Sequence, residues 1–148
     1  MLESKKLFSI KNEVRQNMSS EICNKYLTAL NDGDLNKVLS LFSENAVVIS
    51  PLYGEILAKD FYKELFSDTE KSETKLLTIF DSSKNDESIA LHFLYTWTLQ
   101  SEEIVEFECV DIFNLTKDKK LFTKLSIIYD TYHIREKHSK SLNLKNNT

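Results

Sequence analysis

The first part of the chain places its apolar residues at helical spacing. Positions three and four apart form one apolar face, made of Ile22, Cys23, Tyr26, Leu27 and Leu30. This periodicity predicts a helix with Ser19 or Ser20 as its N-cap. Gly33 follows, where its freedom to adopt a positive φ suits a C-terminal cap, and Asp34 is the expected cap of a second, shorter helix. Residues 1–18 carry a weaker stripe and are expected to form an N-terminal arm or an extra helix.

The rest of the chain predicts one more helix and a series of strands. The short second helix ends near residue 42, a strand covers 46–49, a loop covers 50–54, and a third helix covers 57–66. The charged residues 67–75 are expected to be a connection. Alternating apolar and polar residues predict strands at 76–80, 89–99, 104–115 and 121–132. Helices followed by a strand meander indicate one α+β domain with an antiparallel sheet over 19–135. The polar segment 136–148 is expected to be a disordered tail.

Composition and charge exclude several classes of function. The chain has 148 residues but only two Gly and one Pro, which leaves no glycine-rich loop to hold a phosphate or a dinucleotide. A net charge of −4 with scattered Lys and Arg argues against a nucleic-acid partner. No apolar run is long enough for a membrane span and none resembles a signal peptide, so the cytoplasm is the expected location. Cys23 and Cys109 are expected to be buried free thiols.

One charged residue lies on an otherwise apolar strand face. Over 104–115, that face carries Val105, Phe107, Cys109, Asp111, Phe113 and Leu115. Because burial disfavours the ionised form of a carboxyl group, we expect Asp111 to have a raised pKa. Its functional interpretation is an acid or hydrogen-bond donor in a pocket. The alternative interpretation is a structural carboxylate held by backbone N–H groups.

Three other side chains are candidates for the same chemistry. Asp130, near the end of the last predicted strand, is either a second carboxylate facing the pocket or a solvated residue at the strand end. His92 is either a general base or a histidine on the sheet face away from the pocket. Tyr26 directs its hydroxyl inward from the apolar face of the first helix. The sequence has no spaced pattern of metal ligands, so no metal site is expected.

Several segments resemble the NTF2-like superfamily, which includes ketosteroid isomerase, the SnoaL-like polyketide cyclases and nuclear transport factor 2. The resembling residues are 26–34 and 38–48 near the start, and 110–113 and 126–131 near the end. The resemblance covers 19–135. It implies a cone-shaped α+β barrel, in which a curved antiparallel sheet wraps the N-terminal helices and leaves an apolar cavity. It also implies a homodimer through the outer sheet face that bears Val110 and Ile112.

The resemblance also assigns roles to residues around that cavity. Tyr26 matches the oxyanion tyrosine of ketosteroid isomerase, and Asp111 matches its buried acid. Ser50 stands where the isomerase has its basic Asp, so the base for steroid isomerisation is missing, and Asp130 or His92 is the candidate replacement. The side chains expected to contact a ligand are Ser50, Tyr53, Phe61, Trp97 and Phe107.

Three functions are compatible with these residues. The first is a cofactor-independent enzyme that moves protons on a small apolar molecule, of the isomerase, cyclase or dehydratase type. The second is a non-catalytic binder of such a molecule. The third is a dimeric interaction module whose cavity is filled by its own side chains. An open cavity that contains Tyr26 and Asp111 would favour the first two over the third.

Overall fold

The computed structural model describes residues 2–85 and 87–146. Its elements in chain order are α1 (Leu2–Asp32), α2 (Leu35–Leu39), β1 (Phe42–Ser50), β2 (Gly54–Leu57), α3 (Ala58–Asp68), β3 (Thr69–Asp81), β4 (Ser88–Leu99), β5 (Ile104–Leu115), β6 (Phe122–Ile128) and α4 (Ile134–Asn146). The strands form a six-stranded sheet in the order β2-β1-β6-β5-β4-β3. The α+β architecture expected from the sequence is therefore confirmed.

The sheet is antiparallel at every strand pair except one. Strands β1 and β6 pair in parallel, with Val48 opposite Leu125, and the other four pairs have the antiparallel arrangement that the sequence predicted. The register shifts along β1 and again along β3, between Leu76 and Thr78. Irregularities of this kind bend strands and increase their twist. The sheet can therefore curve around α1 and α3 and bury its inner face against them.

Helix α1 is longer than predicted, and the half that precedes Ser19 lies outside the core. The helix continues through Ser19 and Ser20, so the prediction that one of them is an N-cap is wrong. No Gly or Pro interrupts residues 2–32, so the backbone has no reason to break there. Ser19 is buried, and its hydroxyl donates a hydrogen bond to Asp81 Oδ1 over 2.8 Å. Only the second half of α1 contributes residues to the core.

A cluster of aromatic rings joins the helices to the sheet. The ring of Tyr26 meets that of Phe113 edge-on, with 5.0 Å between centroids, and Phe113 stacks on Phe122 at 3.9 Å. Phe42 lies 5.4 Å from Tyr62 and 5.2 Å from Phe122. Such ring pairs contribute on the order of 1 kcal/mol each beyond their buried area. The cluster therefore fixes α1 and α3 against β1, β5 and β6.

Two segments predicted to be irregular are regular. Strand β3 begins directly after α3, so the prediction of a connection over 67–75 is wrong. Because β3 is an edge strand and most of its side chains are exposed, its sequence shows no apolar alternation. The prediction of a disordered tail is also wrong over 136–146, which lies in α4, while residues 147–148 fall outside the described part of the chain. The buried positions of α4 are Ile134, His138 and Ser141, and two of these are polar, which hides the helical periodicity.

The turn after α1 confirms the predicted capping. Gly33 has a φ of +60°, and its N–H donates to the Leu30 carbonyl over 3.0 Å. The Asp34 N–H donates to the Ala29 carbonyl over 3.3 Å, which completes a Schellman cap. The Asp34 carboxylate then accepts a hydrogen bond from the Lys37 N–H and caps α2.

We expect Gly33→Ala to lower the free energy of unfolding by about 1 kcal/mol, because a Cβ disfavours the left-handed conformation. Apart from Gly33 itself and its chain neighbours, no atom lies within 4 Å of the position that the Cβ would occupy, so the loss should reflect backbone strain alone. Urea unfolding measures it. Gly33→Asn is the matched control and should lose less, since Asn tolerates this conformation better. An Ala variant as stable as the wild type would contradict the assignment.

Candidate functional site

An apolar cavity of about 50 Å³ lies between α1, α3 and the inner face of the sheet. The five side chains predicted to contact a ligand all border it, and they are Ser50, Tyr53, Phe61, Trp97 and Phe107. Tyr26 and Asp111 border it as well. Strand alternation explains the inward position of Trp97, Phe107 and Asp111, because every second residue of β4 and β5 faces inward.

Asp111 is the one carboxyl group among the described residues that border this cavity. Its side chain is 2% exposed, and its sheet neighbours are Leu91 on β4 and Ile127 on β6. The Cys109 thiol donates a hydrogen bond to Asp111 Oδ1 over 3.2 Å. Burial raises the pKa of Asp111 to about 7, against the smaller lowering effects of Cys109 and the Tyr26 hydroxyl. Near neutral pH, a large share of this carboxyl group therefore carries a proton that it can donate.

Tyr26 and Tyr62 form a hydroxyl pair beside Asp111. Their oxygen atoms are 2.7 Å apart and both side chains are buried. Burial raises the pKa of each hydroxyl well above its ordinary value, and the neighbouring Asp111 adds to the effect. Both hydroxyls therefore stay protonated. Of this pair, Tyr26 borders the cavity, so the end of the cavity near Asp111 has a neutral tyrosine hydroxyl beside the carboxyl group.

Ser50 has a hydrogen-bonding role in the backbone turn that follows β1. Its hydroxyl oxygen accepts hydrogen bonds from the N–H groups of Leu52 and Tyr53, over 3.2 and 3.3 Å. Serine side chains stabilise turns in this way. Within the described residues, no imidazole or carboxylate is hydrogen-bonded to Ser50. This residue therefore borders the cavity without a partner that would make it a base.

The two side chains named as candidate replacements for the missing base do not border the cavity. Asp130 follows the end of β6, is exposed, and accepts a hydrogen bond from the Tyr132 N–H over 3.0 Å. His92 lies on the outer face of β4, with its Nε2 3.2 Å from Glu108 Oε2. Both therefore match the alternative interpretations, a solvated Asp130 and an outward-facing His92. The alternation past Ile128 suggested a longer β6 than the structure has.

A polar cluster behind the wall of the cavity was not predicted from the sequence. It comprises Tyr53, Asp68, His138 and Lys145, which come from a loop, the end of α3 and two turns of α4. Asp68 is 1% exposed. Asp68 and His138 are 70 positions apart. Asp68 is a polar residue at a buried position at the end of α3, and His138 is one of two polar residues among the three buried positions of α4. No local sequence signal joins them, so only the folded structure shows the cluster.

Other predictions concern thiols, metals and membranes. Cys23 and Cys109 are buried free thiols, as predicted. Over residues 2–85 and 87–146, the structure has no group of three or more His, Cys, Asp or Glu placed to hold a metal ion. In the same part of the chain, no helix combines the length and apolar character that a membrane crossing requires.

The family model of the SnoaL-like domain matches residues 24–123. The chain therefore belongs to the SnoaL-like family of the NTF2-like superfamily. A search of the curated proteins gave no match.

Solved structures share the fold at low sequence identity. PrhC from Penicillium brasilianum aligns with a TM-score of 0.72 and 16% identity, covering 89% of this chain and 92% of that chain. The BvnE pinacolase from Penicillium brevicompactum gives a TM-score of 0.72 and 12% identity, with 88% and 98% covered. A protein with a ketosteroid isomerase-like fold from Catenulispora acidiphila, in complex with trimethylamine, gives 0.64 and 9%, with 74% and 85% covered. At these identities the likeness shows the fold alone.

We expect the Asp111 carboxyl to titrate near pH 7 and to make the folded protein less stable as the pH rises. Its pKa is raised from 3.8 to about 7, so the folded state binds more protons than the unfolded state over that range. The contribution of Asp111 to the free energy of unfolding should therefore be highest below about pH 4 and should fall as the pH rises from there through 7. A shift of this size corresponds to a loss on the order of 4 kcal/mol.

Carboxyl-carbon NMR measures the titration, and urea unfolding at several pH values measures the stability. Asp111→Asn should reduce the fall of the free energy of unfolding above pH 4. Asp130→Asn, at an exposed residue, is the control and should leave that fall unchanged. A pKa at or below 3.8 for Asp111 would overturn the expectation.

Proposed function

We propose that this SnoaL-like chain binds a small apolar molecule in the cavity and donates a hydrogen bond or a proton to an oxygen of that molecule from Asp111. The observation that carries the proposal is a single carboxyl group, 2% exposed, with a pKa raised to about 7 by burial, at the edge of an aromatic cavity. A buried carboxylic acid kept neutral near pH 7 is a strong donor to a carbonyl or enolate oxygen. Tyr26 and its partner Tyr62 support the same end of the cavity with neutral hydroxyls.

The lining of the cavity limits the chemistry that the proposal includes. Among the described residues that border it, Asp111 is the only carboxyl group, and no imidazole borders it. Reactions that need an acid, such as a dehydration or an acid-assisted cyclisation, fit this set better than an isomerisation that needs a separate base. One fold neighbour is named a pinacolase, but at 12% identity that name supports only the broad idea of small-molecule chemistry. Binding with hydrogen-bond donation is the part that the geometry supports best.

The size of the cavity adds a condition. Typical sites for small ligands measure roughly 300–1,000 Å³, whereas this one measures about 50 Å³. A ligand of ordinary size therefore enters only when side chains of the wall move.

Binding of cyclohexanone tests the proposal, with the fluorescence of Trp97 as the readout, because Trp97 is the one tryptophan in the sequence and borders the cavity. We expect Asp111→Asn to weaken binding about tenfold at pH 6, the loss that corresponds to one good hydrogen bond. Wild-type binding should weaken as the pH rises through 7, because ionised Asp111 cannot donate. Infrared spectroscopy of the bound ketone should show a carbonyl stretch at lower frequency in the wild type than in the variant.

Asp130→Asn is the matched control, since Asp130 is exposed and outside the cavity. Equal affinity in the wild type and Asp111→Asn, with no dependence on pH, would remove Asp111 from the proposal. A complete lack of binding by wild-type protein would favour the interaction module instead.

We also propose the homodimer that the resemblance implies, through the outer face of β5 and β6. Val110 lies opposite Ile128 in the sheet, so the two apolar side chains share that face. Ile112 is 37% exposed and Ile128 is 53% exposed. Exposed apolar side chains grouped on one sheet face are typical of a protein contact.

Sedimentation equilibrium should therefore show a dimer at micromolar concentration, and Ile128→Glu should shift it to monomer. Lys124→Glu, on the neighbouring part of β6, changes charge without removing apolar area and should dissociate the dimer less. Monomeric wild-type protein at high micromolar concentration would end this proposal.

A further inference from the structure

Helix α4 packs against the outside of the cavity wall. Its buried face consists of Ile134, His138 and Ser141, at spacings of four and three residues. His138 contacts two side chains that border the cavity, Tyr53 and Trp97. α4 therefore lies behind the part of the wall that these two aromatic rings form.

The hydrogen bonds within this contact have a defined direction. The Tyr53 hydroxyl donates to Asp68 Oδ2 over 2.5 Å. His138 Nε2 lies 3.0 Å from the Tyr53 oxygen and 3.3 Å from Asp68 Oδ2. Because the one proton of Tyr53 is directed at Asp68, Nε2 must carry a proton to face both oxygens. His138 is therefore a donor at Nε2, and this atom is not available as a base.

The buried charge of Asp68 is compensated by donors from α4 at the same contact. Asp68 is 1% exposed, and Lys145 donates to its Oδ1 over 2.8 Å. Burial on its own would raise the pKa of Asp68, but the hydrogen bonds from His138, Lys145 and Tyr53 outweigh burial and lower it to about 2. Asp68 is therefore a buried carboxylate whose partners come largely from α4. Removing one partner of a buried charge is costly, so these donors hold the helix in place.

The ring of His138 also supports Trp97. The two ring centroids are 5.7 Å apart with an angle of 32° between their planes. On its other side, the Trp97 Nε1–H donates to Thr69 Oγ1 over 2.7 Å. The remaining contacts of α4 with the body include the Arg135 guanidinium, which donates to the Pro51 carbonyl over 2.9 Å. The helix is thus attached mainly by polar side chains and only one buried apolar side chain, Ile134.

We propose that His138 is a positioning residue for the cavity: it holds Tyr53 and Trp97 in the wall and so limits the size of the molecule that enters. This inference rests on the proposed function, since it assigns the size limit of the same site. It accounts for the small volume of a cavity that the Asp111 carboxyl group borders. A ligand larger than the cavity enters when the hydrogen bond between His138 and Tyr53 breaks and the side chains of Tyr53 and Trp97 move apart.

Quenching of Trp97 fluorescence by acrylamide tests the closure of the wall without any ligand. Trp97 is 2% exposed in the folded protein, so the wild-type Stern–Volmer constant, measured from lifetimes, should be low. His138→Ala should raise it severalfold. The matched control is His133→Ala, which removes an exposed imidazole five positions earlier and should have no effect. Equal quenching in His138→Ala and the wild type would overturn the inference.

Two further substitutions separate the hydrogen bond of His138 from its packing. His138→Gln keeps a donor near the Nε2 position, and His138→Phe keeps a ring but has no donor. We expect Gln to restore low quenching better than Phe, since the bond to Tyr53 and Asp68 holds the wall. Equal restoration by Phe would mean that His138 only fills space and would overturn the positioning role.

Lys145→Ala provides a second variant, because it removes another donor to Asp68 and leaves the ring of His138 in place; its side chain is 33% exposed. It should raise quenching in the same direction. Its control is Lys140→Ala, which changes a lysine on the outer side of α4 that pairs with Glu136. Equal quenching in both lysine variants would contradict the role of Asp68 as the anchor of α4.

Binding of two ketones of different size completes the test. Wild-type protein should bind cyclohexanone more tightly than 2-decalone, and His138→Ala should reduce this preference on the order of tenfold, the lower end of the effect of one methylene group in an apolar pocket. An unchanged preference in His138→Ala would overturn the inference. If neither ketone binds to either protein, the proposed function fails, and the quenching results show separately whether His138 seals the wall.

Discussion

The position of Tyr26 is the constraint on which the rest of the structure depends. Its ring is enclosed by Phe42, Phe113 and Phe122, which come from three strands, and its hydroxyl bonds to Tyr62 on α3. A buried tyrosine hydroxyl is stable only with a partner, so the helices and the sheet must meet at this point. The same arrangement leaves Asp111 beside Tyr26 with little access to water.

The cavity and its acid are consequences of one sheet face. Inward positions of β4 and β5 are apolar or aromatic, and Asp111 interrupts them with a single carboxyl group. Because the aromatic wall excludes water, burial raises the pKa of Asp111 and favours its uncharged form, without a second charged group. This distinguishes the cavity from the cluster at Asp68, where hydrogen-bond donors keep a buried carboxylate ionised. The two carboxyl groups therefore have opposite protonation preferences within one small domain.

The periodicity of apolar residues gave correct predictions where alternate residues along one strand are buried. The alternation over 104–115 placed Asp111 on the inner face, and the same rule gave the positions of Phe107 and Trp97. It was wrong where burial depends on distant partners. Asp130 continues an alternating pattern after β6 has ended, and the charged sequence of β3 hides an edge strand. For His92, the structure has the outward-facing position, which was one of the two interpretations of its place in the sequence.

The sequence by itself determined the α+β class, the family and the acid of the cavity, because these depend on the repeat of apolar residues and on one charged residue that breaks it. Only the tertiary structure decided which other polar groups meet. Tyr53, Asp68 and His138 come from three separate segments, and the last of them lies in a helix with two polar residues among its three buried positions. Hydrogen bonds between residues far apart in the chain leave no periodic trace, since each partner only has to satisfy the other after folding. The sequence therefore predicted side chains that border the cavity, and the fold decided which polar groups lie behind them.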